Sequence, residues 1–479
     1  MTEHEEIRPS VQESLEQVIE LLHKHELATT SGPRREDDSR RGLVETLVHT
    51  LHLAELRKLL DTLHPADVAY VLEALPLEPR LVVWDLVKAE RDGEILLEVS
   101  DAVRETLIAH MDEKELVAAT GQLDTDEIAD LAPDLPREVI LDVFKSLPVE
   151  EREQLRAAMS YPEDSVGALM DFDVISIRDD VRIEVVLRYL RRLDEMPDHT
   201  DQLFVVDREE HLKGLLPINR LLVSDPETLV EEVMTKEFGD FQPDEKAQDA
   251  ALAFERYDLV SAPVIDGSGR LIGRVTVNAV VDFIREETDS DMLSAGGLRE
   301  DEDLFASVWK SVKNRWAWLA INLVTAFIAS RVIGVFEQSI AKIVALAALM
   351  PIIAGIGGNS GNQTITMIVR ALALGQITGA SARQLFAKEI GVSALNGLIW
   401  GGVVGLFAFL IYHSWQLGMV MTSAMILNLL LAAVMGVTVP LVMQKLGRDP
   451  AMGSSVMITA ITDSGGFFIF LGLATIFLV

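Results

Sequence analysis

Apolar residues follow two patterns along this chain, and the change falls near residue 314. Beyond it they run almost unbroken in five stretches, about 316–336, 342–374, 389–412, 418–443 and 453–479. A helix needs about 20 mostly apolar residues to cross roughly 30 Å of hydrocarbon. Each stretch meets that length, which predicts five membrane-spanning helices. The second is longer than one span needs and carries Gly355, Gly357, Gly358 and Gly361, so it reads as a broken helix. Before residue 314 the apolar positions are periodic instead. From Gly42 to about Tyr161 they recur at helical spacing between Leu-Pro turns. Val68-Ala69-Tyr70-Val71 up to Leu75-Pro76 matches Ile128-Ala129-Asp130-Leu131 up to Leu135-Pro136, an offset of 60. That repeat predicts stacked helical hairpins, an α-superhelix.

The pattern changes again after Ser165. Two units follow, about 170–234 and 235–285, each with a short strand, a helix, a strand–turn–strand stretch and a second helix. Gln202-Leu-Phe-Val-Val-Asp207 with Leu212-Lys-Gly-Leu-Leu216 aligns with Ser261-Ala-Pro-Val-Ile-Asp266 and Leu271-Ile-Gly-Arg-Val275. This duplication resembles a pair of CBS domains, a regulatory module. Asp282 to Asn314 reads as a polar helical connector into the first apolar stretch. Residues 1–41 open with a possible helix and continue into the charged run Pro33 to Arg41, a mobile tail.

Charge sharpens the division. Acidic residues outnumber basic ones 75 to 42, a formal net of −33. Residues 1–314 hold 34 Lys/Arg and 71 Asp/Glu, a net of −37, while residues 315–479 hold 8 and 4, a net of +4. So acidic a soluble half disfavours nucleic acid and favours cations. Without cysteine, disulfides, thiolate zinc sites and thiol catalysis are excluded. The N-terminus, Met1-Thr-Glu-His-Glu-Glu6, lacks the basic and apolar regions of a signal peptide. Lys310, Lys313 and Arg315 precede the first stretch. Arg370, Arg383 and Lys388 lie between the second and third, and Lys445 and Arg448 between the fourth and fifth. The opposite loops hold Lys342 beside Glu337, or only His413. Positive residues stay inside, so the N-terminus is expected in the cytoplasm and the C-terminus outside.

Candidate chemistry concentrates in the apolar half. Asp463 reads as the only acidic residue deep inside a stretch. A carboxylate in lipid costs several kcal/mol unless it faces water, an ion or a partner. Thr459, Thr462 and Ser464 add oxygens nearby. A second polar cluster, Gly357-Gly-Asn-Ser-Gly-Asn-Gln363, supplies the amide oxygens of Asn359, Asn362 and Gln363, with glycines expected to free backbone carbonyls. An all-oxygen, carboxylate-poor site suits a hard cation that keeps its water, as magnesium does. His49 and His52, at i and i+3, read as ordinary residues of an amphipathic helix, because a metal needs further ligands. Gly397, Gly401 and Gly405 form a small-residue face, suited to contact between two copies or within one. No enzyme is expected. Intramembrane aspartyl chemistry needs two aspartates, and no G-x-x-x-x-G-K loop is present.

The order of parts and the phrase from Pro351 through Gly357-Gly-Asn-Ser-Gly-Asn-Gln363 resemble the MgtE-type magnesium channels, over about residues 42–479. The resemblance implies a multidomain fold: a mobile tail over 1–41, an α-superhelical N domain over 42–161, CBS domains over 162–234 and 235–285, a connecting "plug" helix over 286–314, and an all-α five-span transmembrane domain over 315–479. It implies a homodimer in a bacterial inner membrane, importing Mg²⁺ and gated by cytosolic Mg²⁺. Asp463, with Thr459, Asn359 and Asn362, would serve the pore. Glu94, Asp126 and Asp130 of the N domain match regulatory magnesium ligands, as do Asp258, Asp282, Glu287 and Asp291. Three further sensing positions are Gln248, Ala279 and Ser290 here, so fewer regulatory ions are expected. Nucleotide binding by the CBS pair is expected to be weak or absent. The Ser/Thr-x-x-Asp pattern usual in nucleotide-binding CBS units is Pro217 and Arg220 in the first unit, and Thr276 and Ala279 in the second. Two other readings stay open: a broader carrier of Mn²⁺, Co²⁺ or Ca²⁺, and a membrane-anchored cation sensor that transports nothing.

Overall fold

The computed structural model describes residues 10–30, 51–193, 195–236, 239–298, 302–374, 376–377, 379–448, 450 and 453–479. The charged run over 33–41 and His49 lie outside the described residues. Two compact units form, one of residues 1–286 with Asp303–Ala306, the other of Glu287–Glu302 with Ser307–Val479.

The N-terminal part of the first unit has a regular step. Helices begin at Pro65, Leu77, Asp101, Glu113, Thr125, Arg137 and Val149, with a 3₁₀ turn at Ala89, so one element starts every 12 residues. An apolar residue and a cap precede each start, as in Leu63-His64, Leu75-Pro76, Val99-Ser100 and Leu123-Asp124. The apolar residue packs in or against the core, and at His64 the cap side chain also accepts from the new helix's Ala66 N–H. Asp112 with Glu115 and Asp124 with Glu127 make reciprocal capping boxes. The sequence offset of 60 is therefore five of these shorter steps. Two arginines two steps apart make the same contact: Arg80 Nε donates to Leu72 O at 2.9 Å and Arg104 Nε to Leu96 O at 2.8 Å.

The possible helix expected at the N-terminus is present. Val11–Thr30 is a helix, and Val18, wholly buried, joins the core of the 12-residue repeats. Its apolar stripe of Leu15, Val18, Leu21 and Leu22 has the spacing of one helical face, which anchors it. His52 sits in the helical stretch 51–60, its Nδ1 buried without a partner.

The two strand-bearing units repeat each other in register. β1 (Ser176–Arg178) runs parallel to β2 (Gln202–Val206), which pairs antiparallel with β3 (Leu212–Pro217). β4 (Ser261–Ile265) pairs antiparallel with β5 (Leu271–Thr276), and an isolated parallel bridge from Phe241 to Val264 replaces a first strand. Both hairpins shift register at the equivalent place, between Val205 and Val206 and between Val264 and Ile265. One segment departs from the expected division at residue 234. Val166 and Met170 pack in the core of the second hairpin, with Phe241, Val264 and Val275, while Val230 packs in the first. The second unit thus borrows a segment from the first unit's stretch of chain.

The connecting helix is shorter than expected. Val277–Gly296 is helical, Gly297 turns at φ +74°, and Leu298 N closes on Leu293 O at 2.9 Å. Only glycine fits there, since a Cβ on Gly297 would lie 2.0 Å from the Trp318 ring. The next helix begins at Val308, so the helical residues within 286–314 belong to two helices, not one.

In the second unit the long helices are Val308–Val335, Ala345–Ala373, Gly379–Tyr412, Trp415–Lys445 and Ser454–Leu478. Among the described residues four are long and apolar enough to cross a membrane; Ala345–Ala373, with its polar run, is not among them. That helix is continuous through Pro351 and all its glycines, which corrects the broken helix expected from sequence. Two of the glycines, Gly357 and Gly361, make room for neighbours instead. A Cβ on Gly361 would lie 2.4 Å from Ile458 Cγ1. Gly397, Gly401 and Gly405 likewise pack inside the chain: Cβ atoms there would lie 2.9 Å from Ile426 Cα, 3.0 Å from Thr422 O and 2.1 Å from Thr422 Oγ1.

Candidate functional site

Two polar segments meet between apolar helices. Gly358 of the Ala345–Ala373 helix lies against Thr462 of the Ser454–Leu478 helix, where an added Cβ would sit 3.8 Å from Thr462 Oγ1. Gly361 and Ile458 repeat the approach one turn away. The structure therefore brings the Gly357–Gln363 run beside the Thr459–Gly466 run, a juxtaposition that spacing along the chain does not reveal. Asn359, Gln363 and Thr459 are exposed on faces the chain leaves uncovered, and Asp463 is half-buried. Among the described residues Asp463 makes no ion pair. The hydroxyls of Thr459 and Thr462 donate to Ser455 O and Ile458 O at 2.8 and 2.9 Å, leaving their lone pairs available. The Asn362 side-chain oxygen is buried without a partner.

A second membrane carboxylate joins Asp463. Glu389, 6% exposed, accepts a hydrogen bond from Thr364 Oγ1 at 3.2 Å. Sequence reasoning missed it because the third apolar stretch was begun at residue 389, whereas its helix starts at Gly379.

The first unit builds an acidic cleft. Asp124, Asp126 and Asp130, around the Thr125–Leu131 helix, feel acids from beyond the N-terminal repeats: Asp171, Asp198, Asp282 and Glu286. Burial first, then the Asp171 charge, pushes the Asp126 carboxyl up to about 8. Burial also raises Asp130, to about 7, with Glu286 and Asp282 adding to the rise and Arg104 opposing it. Asp130 is the more open to water of the two, so its charges are better screened. Asp282 and Glu286 are raised as well, chiefly by burial. Arg274 holds Asp171 at 2.8 Å, one of the few cations in the cleft. The expected regulatory residues Asp126, Asp130 and Asp282 thus share a region, and Glu94 acts on Glu127 at its edge. Asp258 stands apart, capping the Ala247–Tyr257 helix in the left-handed conformation. Asp124, Asp171, Asp198 and Glu286 were missed, since single acids in an acidic half carry no local signal. Among the described residues no three His, Asp or Glu side chains converge on one coordination point.

Three family models match in the same order as these parts. One for the MgtE intracellular N domain covers residues 63–164, one for CBS domains covers 230–286, and MgtE, described as a divalent cation transporter, covers 350–473. The magnesium transporter MgtE of Thermus thermophilus is 30% identical over 431 residues, covering 88% of this chain and 95% of its own. The magnesium transporter MgtE of Bacillus subtilis is 24% identical over 426 residues, covering 89% and 94%. Among solved structures, the cytosolic domain of the Mg²⁺ channel MgtE in complex with ATP is 28% identical, at a TM-score of 0.44. It covers 51% of this chain and 98% of its own. Similarity of this extent and order places the chain in the MgtE family.

Proposed function

We propose that this protein imports Mg²⁺ across a bacterial inner membrane as a homodimer, with the N-terminus in the cytoplasm and five spans per subunit. One observation carries the reading: two oxygen-rich segments lie side by side between apolar helices, with Asp463 on one of them. Asp463 attracts the hydrated cation, and one carboxylate from each subunit balances its two charges. Asn359, Asn362 and Thr459 offer neutral oxygens to the ion's water, which suits a cation that dehydrates reluctantly.

The acidic cleft supplies the control. Its carboxylates repel one another when ionised, so the compact arrangement needs protons or cations among them. A divalent ion can bridge carboxylates from both walls, where monovalent salt only screens over about 8 Å. Asp126, Asp130 and Asp282 would hold such ions, with Glu94, Asp258, Glu287 and Asp291 contributing outside the cleft. The test is Mg²⁺ uptake by the purified protein in liposomes, with Mn²⁺, Co²⁺ and Ca²⁺ as competitors. Uptake should fall at least tenfold in Asp463→Asn without loss of fold. Normal uptake by folded Asp463→Asn would refute the pore assignment, and no uptake by the wild type would favour a sensor that transports nothing.

A further inference from the structure

Asn428 belongs to neither polar segment, yet it joins them. It lies mid-way along the Trp415–Lys445 helix and is wholly buried. Its side chain occupies the space that a Cβ would need at two glycines. A Cβ on Gly357 would lie 2.2 Å from Asn428 Nδ2, and one on Gly466 would lie 2.7 Å from the same atom. Gly357 opens the polar run of one helix and Gly466 closes the polar run of another. Asn428 Nδ2 donates to Ile353 O at 3.0 Å, one turn before Gly357. The carboxamide is therefore a wedge between three helices, and its donor side is anchored.

The acceptor side is not. Asn428 Oδ1 is buried without a hydrogen-bond partner, and so are Asn362 Oδ1 and Ser464 Oγ. A buried oxygen left without a donor loses the hydrogen bond that water gave it, so three of them, two on the polar runs and one between them, need an explanation. None is a carboxylate, and each can accept a hydrogen bond from water. A leucine at 428 would fill a similar volume and avoid the cost of burying a polar group. We propose that Asn428 is a positioning residue for the cation path. It sets the separation of the two polar runs, and its free oxygen, with those of Asn362 and Ser464, accepts hydrogen bonds from water that accompanies the ion.

The inference rests on the transport reading above, and the closing experiment separates the two. Wild-type Mg²⁺ uptake in liposomes reports on that reading; without it, both fall. The ratio of variant to wild type reports on Asn428. In Asn428→Ala/Gly357→Ala the new methyl enters the space the carboxamide vacated, so packing is restored while the acceptor is lost. This double variant should melt within about 3 °C of the wild type and above Asn428→Ala alone. Its uptake should fall about tenfold, with KM raised. Asn428→Leu, if folded, should show the same loss. Wild-type uptake by the folded double variant would reduce Asn428 to a packing residue and overturn the proposal. Failure of the double variant to recover the melting temperature would overturn the wedge.

Discussion

The guanidinium of Arg80, wholly buried, grips both carboxylate oxygens of Asp303, at 2.8 and 3.2 Å, across 223 residues of chain. Its counterpart two steps along the repeat, Arg104, uses acids of the repeats themselves, Asp101 and Asp134. At Arg80 the acid comes instead from the short segment just before the Val308–Val335 helix. The N-terminal repeats therefore hold the stretch of chain that leads into the first apolar helix.

Breaking that pair should be costly. Removing one partner of a buried ion pair strands the other charge, a loss of about 3–5 kcal/mol. Arg80→Ala should lower the melting temperature of the full chain, followed by tryptophan fluorescence. Arg80→Met/Asp303→Leu should recover much of it, because neither charge is then buried alone. An Arg80→Ala protein as stable as the wild type would show that the pair is dispensable.

The acidic cleft should respond to pH in a set direction. Burial and neighbouring acids raise Asp126 to about 8 and Asp130 to about 7, well above the ordinary aspartate range. A raised acid favours the compact form while protonated; that contribution is complete below the ordinary aspartate range and fades as pH climbs through 7 to 8. Added Mg²⁺ should therefore protect the first unit from limited proteolysis more at about pH 8.5 than at about pH 6. Asp126→Asn should protect at high pH without Mg²⁺. Equal Mg²⁺ protection at both pH values would contradict the assignment.

The small-residue face of the Gly379–Tyr412 helix should matter to the monomer's own packing. A Cβ on Gly405 would lie 2.1 Å from Thr422 Oγ1 and 2.6 Å from Gly418 O. Overpacking of this kind costs about 1–3 kcal/mol. Gly405→Ala should melt earlier in detergent while its subunit mass by light scattering stays that of the wild type. A change in mass without a change in melting would return the face to the intersubunit contact.

Adenine nucleotide should bind weakly. Arg220 donates to Val233 O and Thr235 Oγ1, and Ala279 carries no acceptor beside Thr276. A ribose without a carboxylate partner loses hydrogen bonds worth about 1.5–3 kcal/mol, at least tenfold in affinity. Calorimetric titration with ATP should show no micromolar binding.

By itself the sequence determined what depends on neighbours along the chain. The apolar stretches, the paired hairpins from Gln202 and Ser261, and the isolated Asp463 follow from hydropathy, strand phrases and the cost of charge in lipid. The superhelix was legible too, though at five times its true step, because the phrases from Val68 and from Ile128 are five steps apart. Tertiary structure decided whatever depends on which surfaces meet. Four glycines read as a break in a helix, but a glycine that unwinds a backbone and one that admits Asn428 or Ile458 are the same letter. Glu389 and Asn428 looked ordinary until the helices around them removed their water. The cleft acids were anonymous among 75 until Asp126 and Asp171 came close enough to feel each other's charge. Hydrophobic length is a sum along the chain, whereas desolvation and Coulomb energy depend on distances in space. Only the folded chain sets those distances.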